Sequence, residues 1–80
     1  MDQAKYDEME KMLHKLEDIK NSQESILDKI NHVITDLFQN PDKDLEKTME
    51  EAHQKASDNV DKIAEAIENY EMKINKLEQA

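Results

Sequence analysis

Residues 20–25 read KNSQES, six polar residues between two strongly patterned apolar segments. As a loop, this stretch would divide the chain into a compact bundle of short helices; as helix, it leaves one long hairpin. The apolar residues around it decide the matter. Met9, Leu16, Gln23, Ile30 and Leu37 stand in one row at seven-residue spacing, and Met12, Ile19, Ile26 and Val33 stand in the next. Leu13, Lys20, Leu27 and Ile34 form a third, adjacent row. Such rows mark an amphipathic helix with a supercoiling seam. The phase from Leu16 to Ile30 and from Ile19 to Ile26 survives KNSQES unchanged, whereas a loop would reset it. Ser22 and Ser25 have the chemistry of helix caps, but the unbroken phase makes the stretch solvated helix surface, with Gln23 pointing into the seam.

The second half repeats the pattern. Met49, Ala56, Ile63, Tyr70 and Leu77 form one row, and His53, Val60, Ile67 and Ile74 form its neighbour. Leu45, Ala52, Asn59 and Ala66 flank them on one side and Ala64 on the other. Thr48 and Glu51 have capping-box spacing, yet the rows run through them, so they read as mid-helix surface.

Between the halves lies FQNPDKDLEK, residues 38–47, with the only proline of the chain and no glycine anywhere. Pro41 suits the first turn of a helix and drives Asn40 out of helical geometry. Asn40 is therefore expected as the N-cap of the second helix, with Asp42 and Asp44 favouring its positive end. A connection this short makes the helices antiparallel neighbours. The expected fold is all-α: one domain over residues 1–80, with helix 1 at about 3–39, the turn at about 40–42 and helix 2 at about 42–79.

Folding the chain about Pro41 sets Leu37 against Leu45, Ile30 against Ala52, Ile19 against Ile63 and Met12 near Tyr70. Gln23 then lands beside Asn59, a polar pair able to fix register and partner number in an apolar seam. Two rows per helix fill a two-helix contact, so a third should stay exposed. That strip is expected at Leu13, Leu27 and Ile34 of helix 1, and at Leu45, Ala52, Ala64 and Ala66 of helix 2. Its expected occupant is a second copy, completing a four-helix bundle as a dimer, or another protein's helices. Phe38 falls off the main stripe, either folded over the loop or offered as a small contact point.

Composition narrows the function classes. Twenty acidic residues face 11 basic ones, all lysine, for a net charge of −9. A phosphate backbone requires cations to replace its counterions, and no arginine is present to read guanine or phosphate bidentately. Nucleic acid is therefore not an expected partner. With no cysteine there are no disulfides. The longest apolar run is two residues, such as Met12-Leu13, too short for a membrane span or a signal-peptide core. The chain begins at Met1 and reads as unprocessed, with the cytoplasm as default; export by a signal-independent machine leaves the same trace.

Catalytic chemistry is thin. Glu50 and His53 have the i, i+3 spacing of carboxylate-bridged di-metal bundles, but the residue expected opposite His53 is about Lys29, so no metal site is expected. His14 and His32 fall on the outer face, paired at i, i+4 with Glu10 and Asp28. There is no phosphate-cradling loop, no pair of inward carboxylates and no nucleophile with a base, and a slim hairpin has no concave pocket for a small-molecule substrate. The expectation is no enzyme and no cofactor.

In layout the chain is similar to type III secretion needle subunits and their small chaperones, through its length, the central Asn40-Pro41 turn and the amphipathic halves. Needle subunits carry a richer apolar C-terminal helix than YEMKINKLEQA, residues 70–80. The hairpin substrates of type VII secretion resemble it too, but their turn carries Trp-x-Gly, and neither residue type occurs here. These layouts imply a bacterial secretion-associated hairpin. A third class, an acidic phage-type inhibitor imitating nucleic acid, has net charge as its support, diluted by interspersed lysines.

Overall fold

The computed structural model describes residues 2–79, which form two antiparallel helices, α1 (Gln3–Asp36) and α2 (Lys43–Gln79). KNSQES is continuous helix inside α1. Lys20 reaches forward one turn to Glu24 at 3.2 Å, an i, i+4 pair that needs helical geometry. Asp2 caps α1: its carboxylate accepts from the Ala4 N–H at 3.0 Å, and its carbonyl accepts from the Tyr6 N–H. Thr48 lies within α2, its hydroxyl donating to the Asp44 carbonyl at 3.1 Å, as expected of a mid-helix residue.

The turn differs from expectation. α1 stops at Asp36, short of residue 39. Over residues 37–39 the backbone tightens: the Phe38 and Gln39 N–H groups donate three residues back, to Thr35 and Asp36, both at 3.1 Å. Helix ends commonly satisfy their last carbonyls this way. Asn40 is not the cap of α2. Asp42 is, with its carboxylate accepting from the Leu45 N–H at 3.1 Å and its carbonyl from the Glu46 N–H at 2.9 Å. An ionised carboxylate at the positive helix end outdoes a neutral amide, and Asp44 and Glu46 in the first turn add to it.

That shift resets the register. Tyr6 meets Glu78, Lys20 shares a cleft with Ala64, and Ile34 shares one with Glu50. Each step is two heptads up α1 and two heptads down α2. A reversal centred on Pro41 would have put Lys20 beside Lys62. The pivot is Asp42 instead, because the tight turn over 37–39 prolongs the path of α1.

The hairpin measures 58 × 14 × 13 Å, with a radius of gyration of 18.1 Å; a compact chain of this length would have about 12 Å. Among the described residues only Ala56 and Ile74 are buried, at 6% and 4% exposure. Half-burial, rather than a sealed core, holds the helices together. None of the described helices is long and apolar enough to cross a membrane.

Two pairs of substitutions test the cap and the seam by chemical denaturation. Asp42→Ala should cost about 1 kcal/mol, while Asn40→Ala should cost a few tenths at most. Gln23→Leu, in the seam, should add about 1 kcal/mol; Asn59→Leu, outside it, should add little.

Candidate protein–protein interface

Which rows of α1 face α2 settles what remains outside. Tyr6, Leu13, Lys20, Leu27 and Ile34 are all half-buried, as are Met9, Leu16, Gln23, Ile30 and Leu37. The seam of α1 therefore uses the row expected to lie exposed. Met12, Ile19, Ile26 and Val33, expected in the seam, lie outside at 46%, 44%, 46% and 36% exposure. On α2 the two expected rows do form the seam, Met49 to Leu77 and His53 to Ile74.

Lys20 explains how a row interrupted by a charge can be the inner one. Lys20 lines a cleft with Ala64 and Ile67, with Glu17 and Glu71 around it, while its ammonium pairs with Glu24. A lysine covers apolar surface with its methylenes and keeps its charge in water.

One side of the hairpin is acidic. Glu10, Glu17 and Glu24 line α1 there, and Glu50, Glu71 and Glu78 line α2. At the open end the Tyr6 phenol lies near Glu78 from the other helix and Glu10 one turn on, and these carboxylates push its pKa up to about 12. Phe38, 82% exposed, closes this side near the turn, beside Ile34 and Glu50, and offers its ring to solvent.

Antiparallel packing pairs like flanks, so the other side carries the remaining rows. These are Met12, Ile19, Ile26 and Val33 from α1 and Leu45, Ala52, Asn59 and Ala66 from α2. Leu45 is 40% exposed, Asn59 and Ala66 are exposed and Ala52 is half-buried. The result is an apolar strip with a bulky edge on α1 and a mostly small edge on α2. Just beyond it stand exposed lysines: Lys15 and Lys29 on α1, and Lys55, Lys62 and Lys76 on α2. Lys15 shares a cleft with Ile19 and Ser22, with Asp18 further out; Lys55 and Lys62 share one with Asn59, Asp58 and Asp61.

The expected strip residues thus part company. Leu45, Ala52 and Ala66 belong to the exposed strip. Leu13, Leu27 and Ile34 line the seam, because a two-helix contact takes that row in place of the Met12 row. Ala64 stands on the acidic side beside Lys20. Gln23 and Asn59 form no rung: Gln23 is half-buried in the seam, whereas Asn59 is exposed on the strip because its row flanks the two rows of α2 that face α1, and the register pivoting at Asp42 also takes the two residues off the same level. Asn40 and Pro41 are exposed in the turn. Met12, Ile19, Ile26 and Val33 are the strip residues that sequence reasoning assigned elsewhere; their one outward mark was the lysine three residues beyond Met12 and beyond Ile26.

The histidines hold no metal cluster. Among the described residues no three metal-ligating side chains converge. His53 is half-buried in the seam, and Glu50 is exposed on the acidic side. His14 contacts Glu17 at 3.5 Å, not Glu10. His32 is exposed.

Comparison with protein-family models, with curated proteins and with solved structures finds no match to this chain.

The Tyr6 clasp carries a pH signature. A phenol whose pKa is raised on folding stabilises the fold below its ordinary value of 10.0, and that contribution is lost as pH climbs through about 12. The phenolate absorbance step that Tyr6→Phe removes should have its midpoint near 12, and Glu78→Gln should move it down toward 10.0. A midpoint already at the ordinary value would mean that the clasp does not form.

Proposed function

We propose that this chain is a small non-enzymatic protein–protein interaction module that associates through its exposed apolar strip. The observation that supports it is the row Met12, Ile19, Ile26 and Val33, left more than one-third exposed along the middle of one side of a thin hairpin. Apolar side chains scattered singly over a surface need no partner, but a continuous strip commonly marks an interaction site. Helices from a second copy or from another protein can cover it, in the manner of a helical bundle or a helix laid in a groove. Such an adaptor works in the cytoplasm or after export without a signal peptide, and a secretion-associated hairpin is one form it can take.

A second reading draws on the opposite side. Six glutamates gathered on one flank suit capture of a basic protein, as an acidic inhibitor would do it. Lys20 and Ala64 interrupt that array at its centre, which favours the apolar strip as the working surface.

The test is the double variant Ile19→Glu/Ile26→Glu. Both side chains lie outside the seam, so the helical circular dichroism should be kept. Retention on a phenyl matrix and fluorescence of a hydrophobic dye should both fall several-fold relative to the parent chain. Equal retention and equal dye response would show that the strip is not adhesive.

A further inference from the structure

Lysines stand along both margins of the strip. From Leu45 to Lys76 no acidic residue stands in the strip row of α2 or in the row beside it, although the chain has 20 acids and 11 lysines. On α1 the same two rows are free of acids between Glu8 and Asp36. The strip is thus bordered by positive charge along both edges of a chain whose net charge is −9.

A second copy fits this border badly. Laid face to face, two hairpins bring lysine margins against lysine margins, whichever two-fold axis relates them. With the axis along the hairpin, α1 of one copy lies over α2 of the other, and the observed register puts Lys29 level with Lys55 and leaves Lys15 and Lys62 level with the neutral Asn69 and Ser22, so that only Lys76, level with Glu8, meets an acid. Like charges in apposition along an interface rim disfavour that pairing and slow its encounter.

We infer that the occupant is a single amphipathic helix of another protein, its apolar stripe bordered on both sides by Asp and Glu. This rests on the reading of the strip as an interaction surface. Such a helix would lie between the bulky row of α1 and the small row of α2, where Ala52 and Ala66 allow close approach. The row from Met12 to Val33 runs about 30 Å, enough for several turns of one helix. Its carboxylates would meet the lysines before the acids that lie beyond them.

Two synthetic helical peptides with the same Leu/Ile stripe, one margined by Glu and one by Lys, test this against the full chain by fluorescence anisotropy. The Glu-margined peptide should bind at least tenfold more tightly, although the net charge of the chain favours its rival. Its affinity should fall as salt rises. Lys55→Glu/Lys62→Glu should reverse the preference, and Ile19→Glu/Ile26→Glu should abolish binding of both. Equal affinities, a preference for the Lys-margined peptide, or no reversal would overturn the acidic-helix inference while leaving the strip adhesive. So would sedimentation showing a dimer that Ile19→Glu/Ile26→Glu dissolves, or displacement of the peptide by anionic phosphatidylserine vesicles. If no peptide, second copy or vesicle engages the chain, and the Ile19/Ile26 variant changes nothing, the interaction reading fails and the inference fails with it.

Discussion

Two helices in contact bury two rows of side chains each, and α1 carries three. Everything distinctive about this molecule follows from which row is left out. The seam takes the row of Tyr6, Leu13, Lys20, Leu27 and Ile34 together with that of Met9 and Leu16. The unbroken apolar row of Met12, Ile19, Ile26 and Val33 is consigned to the surface. By apolarity alone the choice runs the wrong way, since the inner row is interrupted by a lysine at its centre, whereas the outer row is uninterrupted from Met12 to Val33. It works because lysine is two side chains in one. Lys20 stands in the seam row beside Ala64 and Ile67, where its methylenes can cover apolar surface while its ammonium pairs with Glu24.

The same rotation of α1 sorts the charges. Glutamates of both helices come to one side, where Lys20 and the Tyr6 phenol stand among them. Lysines border the apolar strip on the other. Pairing of opposite charges between the helices would have separated the two acidic rows, so electrostatics is not what orients α1. Exposed pairs of this kind are worth little against the burial of a seam. The charge pattern is a result of the packing, and it leaves the hairpin with two chemically distinct sides.

A fold in which Ala56 and Ile74 alone are buried among the described residues has a thin margin of stability. Its seam is half-exposed along the full 58 Å, and covering the strip would also shelter the adjoining seam row of Met9, Leu16 and Ile30. Any helix bound on the strip would therefore also stabilise the hairpin, by sealing part of the seam that α2 alone leaves open.

Much was legible in the sequence. The absence of glycine, the lone Pro41 and the phase kept across KNSQES dictate two long helices and one reversal, because these are local properties of the backbone and of a seven-residue repeat. The seam of α2 was legible too, since small residues and a polar Asn59 set its flanks apart from two clear rows. The seam of α1 was not. Three adjacent apolar rows are equivalent until a partner surface chooses between them, and that choice depends on how α1 is rotated when the chain leaves the turn. The rotation and the register were decided by tertiary structure, through the tight turn over 37–39, the Asp42 cap and the fit of Lys20 beside Ala64. Local sequence sets the period of a helix, but only contact with another helix sets which way it faces.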